Sequence, residues 1–179
     1  MIREVLLPLQ EQRIIDKALV RGDFRFASGS RADAQFDLDR LAGDSLEFSL
    51  VVNGMTTLVQ ERFDNPDVVV SVANGGTRLG EKVAEELEVP HISTNKSEGT
   101  FSINDDVSGA NVVILDDIYT RGYSLSKVAN VAHDAGAHIV GSAVVFDRSN
   151  YSVATFKYSN KTAPVERLLR YYIPIFPAE

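Results

Sequence analysis

At 179 residues, 44% of them hydrophobic and 24% charged, the chain has the makeup of one soluble globular domain, large enough to bury roughly 70% of its unfolded surface. No run approaches the ~20 apolar residues of a bilayer-spanning helix, and zero cysteines exclude disulfides and thiolate metal sites. A net charge of -7 with no Lys/Arg stripe argues against nucleic acid as a partner, so any polyanion must be held locally, by loop amides, a cation or a few basic side chains.

The opening Met1-Ile2-Arg3-Glu4-Val5-Leu6-Leu7-Pro8 carries an acid and a proline where a secretory signal would keep an apolar run, and reads as part of a mature, cytoplasmic protein. A helix is expected around 10–20, a polar and small-residue segment over 24–37, and a second helix near 45–62. Beyond these lie Val68-Val69-Val70-Ser71-Val72, Val112-Val113-Ile114-Leu115 and the apolar run 139–146. All three are β-branched and nearly continuous, the pattern of parallel strands covered on both faces.

Between and after them, Leu79, Val83, Ala84 and Leu87, then Leu125, Val128, Ala129, Ala132 and Ala135, recur at helical spacing, the second set closed by Gly136. The chain therefore reads as one α/β domain, a parallel sheet flanked by helices. Residues 1–65 form a small N-terminal hood with helices, 66–163 the core, and 164–179 a C-terminal element with a short helical pattern, packed at an edge.

In open parallel sheets ligands bind beyond the carboxyl ends of the strands, and three such ends are chemically marked. The first runs into Asn74-Gly75-Gly76-Thr77, a tight turn whose amides can approach an anion at a positive helix end. The second runs into Asp116-Asp117-Ile118-Tyr119 and then Thr120, Arg121, Gly122, Tyr123 and Ser124. Hydroxyl and amide donors there surround a point at a helix start, which suits a terminal phosphate. Two carboxylates facing that phosphate would repel it, so their partners are sugar hydroxyls or a magnesium ion. Phosphate on one side and hydroxyls on the other describe a ribose 5-phosphate. The third strand ends in Asp147-Arg148.

Residues 112–124 resemble the signature of the type I phosphoribosyltransferases: four apolar residues, two acids, two mainly aliphatic residues, then small or hydroxylic residues around a glycine, departing only at Tyr119. Most of the chain is similar to the orotate branch of that family. The hood string Phe24-Arg25-Phe26-Ala27-Ser28-Gly29-Ser30-Arg31 with Phe36-Asp37-Leu38, the pair Asn95-Lys96, Asp147-Arg148, and Val165-Glu166-Arg167-Leu168 as a C-terminal helix start carry the likeness.

The resemblance implies a homodimeric enzyme that uses phosphoribosyl pyrophosphate and magnesium to convert a base, orotate in that branch, to its nucleoside 5'-monophosphate. It implies that Asp116 and Asp117 hold the ribose or its Mg2+, directly or through water. Lys96 would contact pyrophosphate, 120–124 and 74–76 would hold the substrate's phosphates, and Arg148, Phe36 and Ser30 would bind the base.

Two departures bear on activity. The branch's flexible loop carries Lys and His, whereas 97–108 here has no Lys, Arg or His and instead Glu98, Asp105 and Asp106. The hood also reads Ala32-Asp33-Ala34-Gln35 where the branch has a proline and paired aromatics. They leave open another base, or a phosphoribosyl pyrophosphate-binding regulatory protein with reduced chemistry. Gly75 to Lys82 is a near miss for a P-loop, with Glu81 in the place of the essential lysine, and His91, His133 and His138 lack metal-ligand spacing.

Overall fold

The structure is a computed structural model that describes residues 5–25, 30–41 and 45–177. Helix α1 (Pro8–Ala18) opens with proline at its first turn, where a missing amide costs nothing, and Gln10 reaches back to accept the Leu7 amide at 2.8 Å. It buries Ile14 and Ala18 against the rest of the N-terminal region.

Within the polar and small-residue segment 24–37, the described residues belong mostly to an antiparallel hairpin of β1 (Leu19–Arg25) and β2 (Arg31–Phe36). Its period of two is carried by small residues: Ala32, Ala34 and Phe36 are buried while Asp33 is exposed, and such an alternation is faint when two of three inward residues are alanines. The hood residues Phe26, Ala27, Ser28 and Gly29 lie outside the described residues. A 3-10 turn (Leu38–Leu41) leads to α2 (Leu46–Arg62), whose Ser45 cap accepts the Phe48 amide at 3.2 Å, close to the expected helix start.

Among the described residues six strands form the central sheet, in the order β4-β3-β7-β8-β10-β9. Strands β3 (Val68–Ser71), β4 (His91–Ser93), β7 (Asn111–Tyr119), β8 (His138–Asp147) and β10 (Lys161–Arg170) run parallel, and β9 (Thr155–Tyr158) closes the edge antiparallel to β10. Helix α3 (Thr77–Leu87) carries the chain from β3 outward to β4, and α4 (Tyr123–Asp134) carries it from β7 the other way, to β8. The winding thus reverses between β3 and β7, and crossovers of one hand running in opposite directions put their helices on opposite faces. The core divides accordingly: Leu79 and Val83 of α3 pack with α2, Val69 and Val113, whereas Leu125 and Val128 of α4 pack with Val70, Ile114 and Val165.

The C-terminal element differs from expectation. Residues 165–168, expected to start a helix, lie in β10, where Val165, Glu166 and Arg167 pair with Ser142, Ala143 and Val144 of β8. Backbone groups along the flank of β8 need partners, and that requirement overrides a weak helical pattern. A two-residue turn with Ser159 (φ 41°) and Asn160 (φ 62°) both left-handed joins β9 to β10, the geometry that suits the twist of a hairpin.

The segment after Lys96 also begins as a hairpin, β5 (Asn95–Ser97) with β6 (Thr100–Ser102), turning at Glu98 and Gly99. It is docked on α4, with Phe101 buried and Lys127 Nζ donating to the Gly99 carbonyl at 2.7 Å.

Candidate active site

Strand β7 is longer than its apolar run. Pairing with β3 ends at Leu115, where the Val72 amide makes a last bond to the Leu115 carbonyl, while pairing with β8 continues to Tyr119. The acid pair therefore sits inside the strand rather than beyond it, on a stretch whose β3 side has opened. Into that opening at the winding reversal come the turn 74–76 and the start of α3.

Gly75 and Asp117 meet there: a Cβ on Gly75 would lie 2.6 Å from Asp117 Cγ, so only glycine leaves the carboxylate its place. A Cβ on Gly76 would lie 2.9 Å from the Leu115 carbonyl oxygen and 3.0 Å from that of Val72. The Ala73–Asn74 peptide is cis. Below the turn, buried Thr94 accepts the Ala73 amide at 2.9 Å and donates to the Ser71 carbonyl at 3.0 Å, tying the turn to β4. Thr94 has no sequence signal of its own, since its role depends on β4 lying beside β3.

Asp116 is 7% exposed, and its carboxylate accepts the Asp117 amide at 2.9 Å. Burial raises the pair above the ordinary aspartate range, and the charge of Asp117 raises Asp116 further, opposed by Lys96. Asp39, in the 3-10 turn of the hood region, also pushes Asp117 upward. Lys96 is exposed on β5, with Nζ 5.6 Å from the Phe101 ring centre.

The turn after β7 has Gly122 at φ 71°, the cap position of α4. Tyr119, the departure from the motif, is buried and donates to the Thr155 carbonyl at 2.9 Å, and its ring lies 3.2 Å from where a Gly122 Cβ would stand. It backs the turn from behind. Thr120, Arg121, Tyr123 and Ser124 are at least partly accessible, and the first amides of α4 point out of the helix with no intrahelical partner to accept them.

Arg148 follows directly on β8 and is 4% exposed, and burial lowers its guanidinium pKa. It shares a cleft of about 180 Å³ with Thr120 and Arg121. Asp147, fully buried, is paired to Arg167 and lies 3.8 Å from Arg170, a network joining two strands that spacing alone does not connect. Ser30 is half-buried at the start of β2.

Phe36, expected to bind the base, lies in the core. It is 3% exposed and stacked on Phe146, with ring centres 4.0 Å apart and planes 3° from parallel, so its ring is packed as part of the core. Among the described residues no cluster of three or more His, Cys, Asp or Glu is placed to hold a metal, so the acids alone make no closed metal cage. His91 bonds the Ser71 hydroxyl at 2.9 Å, a packing role.

The sheet, its winding reversal and the flanking helices are those of the type I phosphoribosyltransferase fold. Residues 49–161 match the family model described as the phosphoribosyl transferase domain, and the chain belongs to that family. The orotate phosphoribosyltransferase of Aeropyrum pernix is 30% identical over 148 residues, 80% of this chain and 77% of that protein. The crystal structure of the Aeropyrum pernix enzyme superposes with a TM-score of 0.70 at 23% identity, covering 88% and 92% of the two chains. Adenine phosphoribosyltransferase from Saccharomyces cerevisiae gives 0.69 at 21% identity, covering 91% of this chain and 100% of that one. The chain is a phosphoribosyltransferase, an enzyme of the pentosyltransferase class, similar to orotate phosphoribosyltransferases.

Proposed function

We propose that the protein transfers the phosphoribosyl group of phosphoribosyl pyrophosphate to orotate, forming the nucleoside 5'-monophosphate and releasing pyrophosphate. The observation that carries this is the convergence of Asp116 and Asp117 with the glycine turn 74–76 on one side and the cradle 120–124 on the other. A 5'-phosphate fits the cradle, where the amides at the start of α4 and the hydroxyls of Thr120 and Ser124 offer donors. Ribose hydroxyls fit the acid pair. Pyrophosphate fits the amides around Gly75 and Gly76 at the start of α3, with the charge of Lys96 near enough to favour ionised Asp116.

A bond from the base's ring nitrogen to the anomeric carbon forms as the bond to pyrophosphate breaks. The leaving group departs with its electron pair, and the base loses its ring N–H proton. Positive charge develops on the sugar, where Asp116 and Asp117 favour it, and negative charge on the leaving group, where Lys96 and the turn amides oppose it. No protein nucleophile is required, and positioning does the rest.

The donor set suits magnesium. Two carboxylates whose ionisation burial opposes gain most from a nearby dication, and Mg2+ commonly takes one or two carboxylates, waters and substrate oxygens rather than an all-protein cage. Asp116 and Asp117 would hold it, directly or through water, and it would neutralise charge on the pyrophosphate.

A base other than orotate is the second reading, favoured by the inward position of Phe36, which removes a hood aromatic from the base. Both readings are separated by incubating the protein with phosphoribosyl pyrophosphate, MgCl2 and, in turn, orotate, uracil, adenine and hypoxanthine, and measuring pyrophosphate. Orotate-dependent release supports the first. Release with another base alone supports the second, and no release with any base overturns both.

A further inference from the structure

The Phe36 ring is turned into the core, and the C-terminal tail runs beside the cleft of Arg148. After β10 the chain runs from the sheet to the hood: the Tyr171 amide donates to the Asp147 carbonyl at 2.9 Å and the Ile173 amide to that of Arg148 at 3.3 Å. Further on, Phe176 and Arg31 exchange backbone bonds of 2.8 and 2.9 Å. The tail is thus strapped at one end to the residue that ends β8 and at the other to β2.

Consecutive residues of an extended chain face opposite ways. Tyr171 turns inward and meets the Phe36 ring edge-on, centres 5.7 Å apart, while Tyr172 is 57% exposed and lines the cleft of Arg148 and Arg121. Tyr151, which lines the same cleft and is 46% exposed, is held by its backbone: Arg170 and Arg167 donate to the Tyr151 carbonyl at 2.9 and 3.2 Å, and Arg167 donates to that of Ser152 at 2.6 Å. Both arginines are anchored on buried Asp147.

From this geometry we infer that Tyr172 of the tail and Tyr151 of the loop after β8 are aromatic walls that select the base in the cleft they share with Arg148. This rests on the transferase reading of the cleft. The ligand it implies is a planar heteroaromatic ring with an acceptor or anionic substituent toward Arg148 and Arg121, held through its faces by two phenol rings. Arg167 and Arg170 are positioning residues, acting through the loop they pin.

The test is steady-state kinetics of Tyr172→Ala, Tyr172→Phe and Tyr151→Ala, with orotate or whichever base the parent consumes. A lost aromatic contact corresponds to a change of about 2- to 10-fold in affinity. The expected result is a rise of that size in KM for the base in Y172A and in Y151A. KM for phosphoribosyl pyrophosphate should be unchanged and Y172F close to the parent, because the ring and not the hydroxyl forms the wall. Melting temperatures confirm that the variants are folded. A base KM unmoved in folded Y172A overturns the inference, as does an equal rise in both KM values. F36L is expected to lower the melting temperature, and a raised base KM in F36L with Y172A silent would return the role to the hood. A parent inactive with every base refutes the transferase reading instead, so the two failures are distinguishable.

Discussion

The carboxylate of Asp117 occupies the volume that any side chain at Gly75 would need. With 41 residues between the two positions this contact is invisible locally, yet it joins the turn after β3 to the acid pair of β7 and shapes the space between them. The neighbouring Gly76 is constrained differently, by backbone carbonyls rather than by a side chain.

These two glycines should therefore respond in opposite ways. In G75A the obstacle is the end of an Asp side chain, which can rotate, so stability should change by less than about 1 kcal/mol while affinity for pyrophosphate and phosphoribosyl pyrophosphate falls. In G76A the obstacle is backbone, and overpacking of this kind costs roughly 1–3 kcal/mol. Urea unfolding and calorimetric titration of both variants check this; equal losses of stability would mean that Asp117 is as rigid as the backbone.

The acid pair makes a prediction with a sign. Burial raises both native pKa values above the ordinary 3.8, helped at Asp116 by the charge of Asp117 and at Asp117 by that of Asp39, so the folded state binds more protons than the unfolded one from about that pH upward. Stability then falls as pH rises through the window, because the slope follows the protons bound in the unfolded state minus those in the native one. D116N/D117N should be more stable than the parent at pH 7, with the gain shrinking toward pH 4, and should bind phosphoribosyl pyrophosphate with Mg2+ at least tenfold more weakly. Unchanged affinity in the folded double variant would move the ligand site elsewhere.

Glu47 behaves in the reverse sense. Hydrogen bonds from Lys17 at 3.0 Å, from its own backbone amide and from Arg13 at 2.6 Å lower its pKa from 4.5 to about 2, linking α1 to α2. A depressed carboxylate stabilises fully above its unfolded pKa and loses that contribution as pH falls through the native value. E47Q should therefore unfold at lower urea than the parent at pH 7, with the difference closing between about pH 4.5 and pH 2. A difference constant over that range would show that packing, not charge, is what the substitution removes.

Much of the site could be read before folding because its signal is local. The string 112–124 carries strand, acid pair, glycine and helix start in thirteen consecutive residues, and the three parallel strands announce themselves by continuous β-branched runs. The hairpin β1–β2 stayed hidden because its inward residues are mostly alanines, and β10 because its fate depends on the flank of β8 needing partners.

Local pattern alone was enough for the class of enzyme, the sheet with its helices, the acid pair and the two glycine turns, since each rests on neighbours within one turn or strand. Tertiary structure alone decided that Phe36 serves the core, that Thr94 supports the 74–76 turn, that Asp117 fits against Gly75, and that the tail crosses to Arg31 beside Arg148. Those relations join residues far apart in the chain, and their partners are chosen by packing and by the pairing of backbone groups, which no local pattern encodes.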